Sequence, residues 1–260
     1  LAFRAFEQFP ALQKTILEDM GKTMLLRKIF SEQKDNLVYF KKGIDRPGFL
    51  DECKSFLCEL EQYGIREKEQ FEKMETLGRK FEDIHRIHDC FKEKMGDTYQ
   101  MAEELTGQLT GVLDRMDGIR DSVMCLDGFT GFTPTQYELL EKMMRLCARV
   151  VVTVTTDETG KRGAVFEIAD TTIKTLTKIA NQIPTEVKQI PVPREGRKAP
   201  YRFEDGGELA FLERNIFAYP YEKWSSKTQN MWLYIGDKPA AEAAYVAKTI
   251  WWMLADGQYA

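Results

Sequence analysis

The residues best placed to do chemistry in this sequence follow a short apolar run that has the length of a strand. The run is Val123–Leu126, and Asp127 comes directly after it. A carboxylate at the carboxyl end of a parallel strand is the arrangement that holds Mg²⁺ beside a bound nucleotide in a Walker B site. Asp127 is therefore a candidate for that role, and its neighbours decide what such a site could do.

Two neighbours of Asp127 bear on whether the segment could hydrolyse a nucleotide. In superfamily I helicases the aspartate is followed by a glutamate that polarises water, then by a glutamine, with a second glutamine further on. Here Gly128 replaces the glutamate and Thr130 replaces the first glutamine, while Gln136 falls where the later glutamine would stand. Glycine cannot act as a general base. We therefore interpret Asp127, Gly128 and Gln136 as a degenerate Walker B-like site without hydrolysis.

A purely structural interpretation of the same segment stays open. Thr133, Pro134 and Gln136 fit a capping box in which proline occupies the first helical position. Asp127 could then do no more than cap a turn. In that case the segment would begin a helix and would carry no chemistry.

Two phenylalanines in the same Gly/Thr-rich turn could contact nucleic acid. Phe129 and Phe132 are three residues apart, where a buried strand phenylalanine is not expected. Aromatic faces stack on bases without regard to sequence, and each stack contributes about 1–3 kcal/mol. The alternative is that both rings fill the space between a sheet and a helical subdomain.

Two other groups suggest chemistry but are better explained by structure. Gly21-Lys22-Thr23 has the ending of a P-loop, but Ile16 occupies the position of the loop's first glycine. We expect Gly21 to interrupt or start a helix. His85 and His88 are the only histidines and fit the packed face of a helix, so no metal site is expected.

The elements that must position these residues change character along the chain. Residues 1–119 are predicted to form a large all-helical subdomain, including a helix over Tyr99–Met116. Its clearest feature is an apolar stripe with alternating spacings of three and four residues, typical of a long packed helix. The stripe consists of Met74, Leu77, Phe81, Ile84, His88, Phe91 and Met95.

The second half of the chain alternates between strands and helices. Residues 120–226 are predicted to form a partial RecA-like α/β domain with a linker, and residues 227–260 the start of a second RecA-like domain. Strands are predicted at Val123–Leu126, Arg149–Thr155, Glu186–Val192 and Met231–Ile235. Strands that alternate with helices indicate a parallel sheet. The predicted fold class is therefore α/β, with an incomplete RecA-like (P-loop NTPase-type) parallel sheet.

Composition excludes several kinds of protein. The sequence has 37 Lys and Arg against 41 Asp and Glu, so bulk charge gives no argument for nucleic-acid binding. The longest apolar run lies within Arg149–Thr156 and is far shorter than the roughly 20 residues of a membrane span, so no membrane partner is expected. Five cysteines form no CxxC pair, which predicts reduced thiols in a cytoplasmic protein.

Several runs of this sequence carry a more specific resemblance. They are Gly21–Ile29, Ile87–Asp89, Leu126–Pro134, Leu212–Pro220 and the stretch that begins at Lys238. In this order they resemble the N-terminal half of the B chain of AddAB-type helicase–nucleases. The opening Leu1-Ala2-Phe3-Arg4 is similar to the end of that family's Ser-Arg-Leu-Ala-x-Arg segment. Because that segment lies near the DNA path in the family, the resemblance adds Phe3 and Arg4 to the candidate DNA-binding residues.

The resemblance implies a two-subunit enzyme that processes DNA double-strand breaks for recombinational repair. The partners would be DNA and the helicase–nuclease A subunit, which carries the active motor, while the B subunit reads the Chi signal in single-stranded DNA. ATP, Mg²⁺ and a 4Fe–4S cluster would belong to the intact protein. Its P-loop would precede residue 1, and its nuclease and cluster would follow residue 260. We therefore expect the sequence to be a piece of a longer chain, with no cofactor bound inside it.

Three functions follow as alternatives. The first is a non-catalytic helicase-like region that engages single-stranded DNA. The second is an active ATP-dependent helicase motor, against which Gly128 and the missing P-loop argue. The third is a protein–protein scaffold for the partner subunit, which would have no affinity for DNA.

Overall fold

A computed structural model of the chain describes residues 1–65, 79–157, 162–192 and 202–257. The helices in these ranges are α1 (Ala2–Gln8), α2 (Asp19–Gln33), α3 (Phe49–Gln62), α4 (Arg79–Met95), α5 (Glu104–Val112), α6 (Pro134–Leu146), α7 (Gly163–Ala180), α8 (Glu208–Asn215) and α9 (Pro239–Ala255). The strands are β1 (Thr15–Ile16), β2 (Tyr99–Gln100), β3 (Val123–Leu126) and β4 (Arg149–Val152). The described part of the chain is therefore α/β, as predicted.

The chain divides into two compact units. The first comprises Leu1–Thr156 and Phe166–Lys188, and the second comprises Asp157–Val165 and Gln189–Ala260. The predicted domain limits at residues 119 and 226 stay predictions. The candidate residues near Asp127 all lie in the first unit.

The first unit contains a hydrophobic core formed by α2, α3 and α4. Its fully buried side chains include Leu26, Ile29, Phe30, Leu57, Leu60, Ile87 and Phe91. The predicted stripe on α4 is buried at His88, Phe91 and Met95 and half-buried at Phe81 and Ile84. Its first two members, Met74 and Leu77, lie outside the described residues. The apolar period therefore predicted the face by which this helix packs.

Asp83 lies on the same helix and is buried, although it does not belong to the stripe. Its carboxylate accepts backbone hydrogen bonds from Val38 at 3.0 Å, Tyr39 at 2.8 Å and Phe40 at 2.9 Å. Buried carboxylates are tolerated where donors of this kind replace water. Asp83 thereby fixes the loop after α2 against α4.

A short parallel pairing corrects the helix predicted over Tyr99–Met116. Tyr99 and Gln100 form β2, which pairs with Thr15 and Ile16 of β1, and α5 begins only at Glu104. The Gln100 side chain is fully buried, and its Nε2 donates to the Lys14 carbonyl at 3.2 Å. This bond joins residues far apart in the sequence, so the local apolar period could not reveal it.

The strands β3 and β4 form a parallel pair connected through α6. The register runs from Val123 opposite Arg149 to Leu126 opposite Val152. Alternate residues (Met124, Leu126 and Val150) pack on a second core, while the residues between them are exposed at Val123, Cys125 and Val151. This βαβ unit agrees with the predicted parallel sheet, and assignment to the RecA-like class remains a prediction.

Two predicted strands are absent from the described residues. Residues 186–192 and 231–235 are not paired with any strand in the described ranges. Both segments have apolar side chains exposed to solvent, including Ile190, Trp232 and Leu233. Composition identified segments able to enter a sheet, but a strand also requires a neighbour that supplies hydrogen bonds.

Candidate functional site

The turn that follows β3 is held at its first residue by the segment after β4. The Asp127 carboxylate accepts a hydrogen bond from the Thr153 hydroxyl. The backbone N–H of Thr153 donates to the Leu126 carbonyl at 3.0 Å and extends the strand pairing by one residue. Asp127 therefore lies at the carboxyl ends of two parallel strands, as the sequence predicted. One of its carboxylate oxygens already accepts a hydrogen bond from Thr153.

Gly128 adopts a backbone conformation that suits glycine. Its φ is +79°, and a Cβ built at this position would meet no atom within 4 Å. A side chain here would have room, but its backbone would be strained in the left-handed region. The position is thus occupied by a turn residue and offers no acid–base group.

Thr133 and Gln136 form the capping box that begins α6. Thr133 Oγ1 accepts from the Gln136 N–H at 3.4 Å, while Gln136 Oε1 accepts from the Thr133 N–H at 2.9 Å. The structural interpretation of these two residues is therefore confirmed. The Walker B-like role of Gln136 stays a prediction, and its side-chain oxygen is used by the helix.

The two phenylalanines of the turn stack on each other. Their ring centroids are 5.1 Å apart and their planes are inclined by 26°. Phe132 is half-buried against the second core and meets Tyr137 edge-on at 5.7 Å, while Phe129 is 41 % exposed. The position of Phe132 thus fits the packing alternative. Phe129 presents an aromatic surface to solvent.

The turn is also fastened to α7 by residues that the sequence did not single out. Buried Thr172 donates to the Thr130 carbonyl at 3.1 Å and accepts from the Tyr137 hydroxyl at 3.3 Å. Gly131 lies so close to this helix that a Cβ would come within 2.9 Å of Ile168 Cγ2. A groove of about 330 Å³ opens beside Phe132. These contacts join distant residues, so no local pattern could have predicted them.

Phe3 and Arg4 lie on α1, not in the turn after β3. Both are exposed on α1, and the Phe3 ring, 74 % exposed, meets Phe6 edge-on at 6.4 Å. The helix packs on α5 and contributes Ala5 to the same second core that Phe132 adjoins. No ring contact or hydrogen bond among the described residues joins Phe3 or Arg4 to Phe129.

Lys22 belongs to a helix and not to a phosphate-binding loop. It is buried in the first turns of α2, where its Nζ donates to Glu103 at 3.1 Å and to Cys58 Sγ at 3.4 Å. Burial alone would lower the pKa of Lys22, but the hydrogen bonds and charges of Glu103 and Cys58 together outweigh burial and raise the pKa above its ordinary value. The Lys22 ammonium group is paired with Glu103 inside the protein, so Gly21–Thr23 does not form a binding site for a nucleotide phosphate.

The two histidines take part in contacts within the helical core. His85 Nδ1 lies 3.0 Å from an Asp89 oxygen, and buried His88 faces Glu61 with Nε2 3.5 Å from Oε1. Within the described ranges, no three His, Cys, Asp or Glu side chains are grouped to hold a metal ion.

The helices also bear on membrane insertion. None of those in the described residues is both long enough and apolar enough to cross a bilayer.

Comparison with known proteins places the whole chain among one set of relatives. The family model described as "ADDB, N-terminal" matches residues 1–213. The B subunit of the ATP-dependent helicase/deoxyribonuclease of Lachnoclostridium phytofermentans is 34 % identical over 272 residues, which cover 100 % of this chain and 24 % of that protein. The protein of the same name from Caldanaerobacter subterraneus is 30 % identical over 256 residues, covering 96 % and 22 %.

A third relative agrees with these two. The protein of the same name from Clostridium perfringens is 26 % identical over 266 residues and again matches 100 % of this chain. The chain spans about a quarter of the length of these curated relatives. Because the family model matches far more than half of the chain, this protein belongs to the ADDB N-terminal family.

Proposed function

We propose that this chain is a helicase-like region that engages single-stranded DNA without hydrolysing ATP. It would act within a helicase–nuclease that processes DNA double-strand breaks for recombinational repair. The observation that carries the proposal is the exposed ring of Phe129, stacked on the half-buried ring of Phe132 in a turn fastened at several points. The relatives are named as one chain of an ATP-dependent helicase/deoxyribonuclease, which supports the class of enzyme.

The stacked rings of Phe129 and Phe132 are suited to bind a base because they are already positioned in the absence of DNA. Phe132 is held against Tyr137 and the second core, and Thr172 holds the carbonyl of Thr130. A ring that is already positioned loses little conformational entropy on binding. Stacking on Phe129 would then contribute about 1–3 kcal/mol per base, independently of base identity. Phe3 and Arg4 would add a second exposed ring and a cation for phosphate or base edges.

The absence of hydrolysis in this stretch is supported by two positions. Gly128 provides no general base, and Lys22 is bonded to Glu103 inside a helix. We infer that ATP turnover belongs to the partner A subunit and that the chain described here reads passing single-stranded DNA for the Chi signal. The β3–α6–β4 unit supports a RecA-like sheet for the region. Five unpaired cysteines support a cytoplasmic location.

The proposal is tested by fluorescence anisotropy with a labelled oligothymidine of about 20 nucleotides, long enough for several stacking contacts. The chain should bind it, and Phe129→Ala should weaken binding about fivefold or more, the equivalent of about 1 kcal/mol. Arg4→Ala should weaken binding and reduce its salt dependence. The melting temperatures of both variants should stay close to that of the wild type.

A matched control is Tyr63→Ala, which removes a 58 % exposed ring at the end of α3. This variant should bind DNA as the wild type does. Unchanged affinity in Phe129→Ala, or an affinity loss that merely follows a lowered melting temperature, would contradict the proposal. An unaltered response to Chi when the same substitutions are placed in the two-subunit enzyme would refute the reading role.

A further inference from the structure

The run Leu212–Pro220 contributes no residue to the proposed site, yet part of it has a clear structural use. Glu213 lies on α8 in the second unit and forms an ion pair with buried Arg162, whose Nη1 donates to Glu213 Oε1 at 2.7 Å. Arg162 also donates to Asp157 Oδ1 at 3.2 Å. These contacts fix α8 to the segment around Arg162 and account for Glu213, one of the two charged residues of the run.

Asn215 closes the loop that follows α8. Its Oδ1 accepts from the Glu222 N–H at 3.0 Å, while its Nδ2 donates to the Phe211 carbonyl at 3.0 Å. A second contact lies beside it, where the Phe211 and Trp224 rings meet with centroids 5.1 Å apart. The six residues from Ile216 to Tyr221 therefore form a loop whose two ends are fastened by side chains.

The fastened loop presents its large side chains to solvent. Phe217 is 61 % exposed, Tyr219 is 84 % exposed and Tyr221 is 64 % exposed. None of the contacts that hold the loop uses these three rings, so the structure of the second unit does not explain them. Exposed aromatic side chains on a preorganised loop are typical of a binding surface, because little side-chain freedom is lost when they make contact.

The charges next to these rings indicate an anionic partner. Arg214, Lys223 and Lys227 are all exposed, and Glu222 is the one exposed carboxylate between residues 214 and 227. The other carboxylate nearby, Glu213, shares Arg162 with Asp157, so its negative charge is only partly offset. Aromatic rings flanked along the chain by cations match a nucleic-acid strand, in which bases stack and phosphates lie at each step. A protein partner could pack against the rings, but it would not account for three exposed cations against one exposed carboxylate in residues 214–227.

We propose that residues 214–227 form a second surface for single-stranded DNA, with Phe217, Tyr219 and Tyr221 as stacking residues and Arg214, Lys223 and Lys227 as phosphate contacts. The choice of DNA over RNA rests on the proposed function. Asn215 is a positioning residue, since it closes the loop without being a stacking group itself. The surface uses no residue of the turn at Phe129 and can be tested separately.

The test measures anisotropy of the same labelled oligothymidine with substitutions in the loop. Phe217→Ala and Tyr219→Ala should each weaken binding about fivefold or more. Tyr219→Phe should retain binding because the ring remains. Arg214→Ala and Lys223→Ala should each reduce the slope of log affinity against log salt by about 0.7, the value expected for one phosphate on a single strand. Tyr63→Ala is the control, with an exposed ring on the other unit.

The outcomes separate this proposal from the previous one. Loss of binding in Phe129→Ala together with wild-type affinity in Phe217→Ala and Tyr219→Ala would overturn the second surface and leave the first. The reverse pattern would overturn the first and support the second. Protection of Tyr219 from chemical modification without DNA, in the two-subunit enzyme, would show that protein covers the loop and would also refute the proposal.

Discussion

Thr133 and Gln136 are joined by two hydrogen bonds of opposite direction, one from each backbone N–H to the other residue's side-chain oxygen. The pair satisfies two N–H groups that would otherwise be unbonded at the start of α6. Gln136 is also the residue that resembles a helicase glutamine. The stability that Gln136 contributes through this cap therefore bears on both the capping-box and the Walker B-like interpretations.

Removing the cap should destabilise the protein, and the substitution also removes the contact between the Thr133 and Thr135 hydroxyls at 3.2 Å. Thr133→Ala should lower the free energy of unfolding by about 1 kcal/mol, the usual loss for an N-cap residue. Urea denaturation followed by circular dichroism measures this change. The exposed Thr171 on α7 provides a matched Thr→Ala control, which should alter stability little. Equal losses at both positions would contradict the role of the cap.

Asp83→Asn should be more damaging than its isosteric shape suggests. The carboxylate accepts backbone hydrogen bonds from Val38, Tyr39 and Phe40, and the Val38 N–H contacts both of its oxygens. An amide would keep one acceptor oxygen, replace the other by an NH₂ group that cannot accept, and remove the negative charge. We expect a loss of about 3 kcal/mol in unfolding free energy, since charged hydrogen bonds are lost in a buried site. Asp97→Asn, at an ion pair whose carboxylate is fully exposed, should cost less than about 0.5 kcal/mol in the same urea titration.

Gly128→Glu restores the residue type found in active motors but should not create a motor. The substitution places a side chain at a φ of +79°, so it should cost about 1–2 kcal/mol of stability through backbone strain. No ATP turnover should follow, because Gly21–Thr23 does not cradle phosphate. Gly118→Glu, at a φ of +71° with equally open surroundings, should show a similar stability loss. Nucleotide hydrolysis that appears only in Gly128→Glu would show that a phosphate-binding site is present and would contradict this prediction.

Stability should fall in acid partly through Glu103. Burial raises the pKa of this carboxyl, but hydrogen bonds from its own backbone N–H, Lys22 and Cys58, together with the charge of Lys22, outweigh burial and hold the pKa below its ordinary 4.5. A carboxyl with a lowered folded-state pKa stabilises the fold above its ordinary value, and this contribution is lost as the pH falls through the folded-state pKa. Glu103→Gln should therefore destabilise at neutral pH, with the difference from wild type shrinking in acid. Glu186→Gln, at an exposed ion pair, is the control and should alter stability little.

Cysteine reactivity should distinguish the exposed face of the βαβ unit from the helical core. Burial, assisted by the charge of Glu52, raises the pKa of Cys53 to about 12, so its reactive thiolate is scarce at neutral pH. Cys125 is exposed on β3. In titrations with a thiol-specific disulfide reagent, Cys125→Ser should lose the fastest phase and Cys53→Ser should retain it. The opposite result would contradict the placement of these two residues.

Elements set by local chemistry could be predicted from the sequence. The capping box at Thr133, the strands flanking α6 and the packed face of α4 each depend on residues a few positions apart. Elements set by distant partners could not. The pairing of β1 with β2 needs both segments at once, and residues 186–192 and 231–235 have strand composition without a described neighbour.

The same distinction applies to the candidate site. Asp127, Phe129 and Phe132 could be singled out because glycine and threonine mark a turn after an apolar run. Which ring would be the more exposed depends on Gly131 lying against Ile168 and on Thr172 holding the carbonyl of Thr130, and neither contact leaves a local pattern. Asn215 and Glu213 lay in a recognised run, but their bonds to Glu222 and Arg162 could be found only in the folded chain.

The pairing of β1 with β2 also sets the order of events during synthesis. The buried Gln100 side chain bonds to the carbonyl of Lys14, 86 residues earlier. At about 5–20 residues per second, the ribosome needs roughly 4 to 17 seconds to make the chain between them. For that time α1 and β1 have emerged without the partner that holds them. The segment that carries Phe3, Arg4 and β1 must therefore wait for Gln100 before this pairing can form, and during that interval its unpaired strand is available to a chaperone.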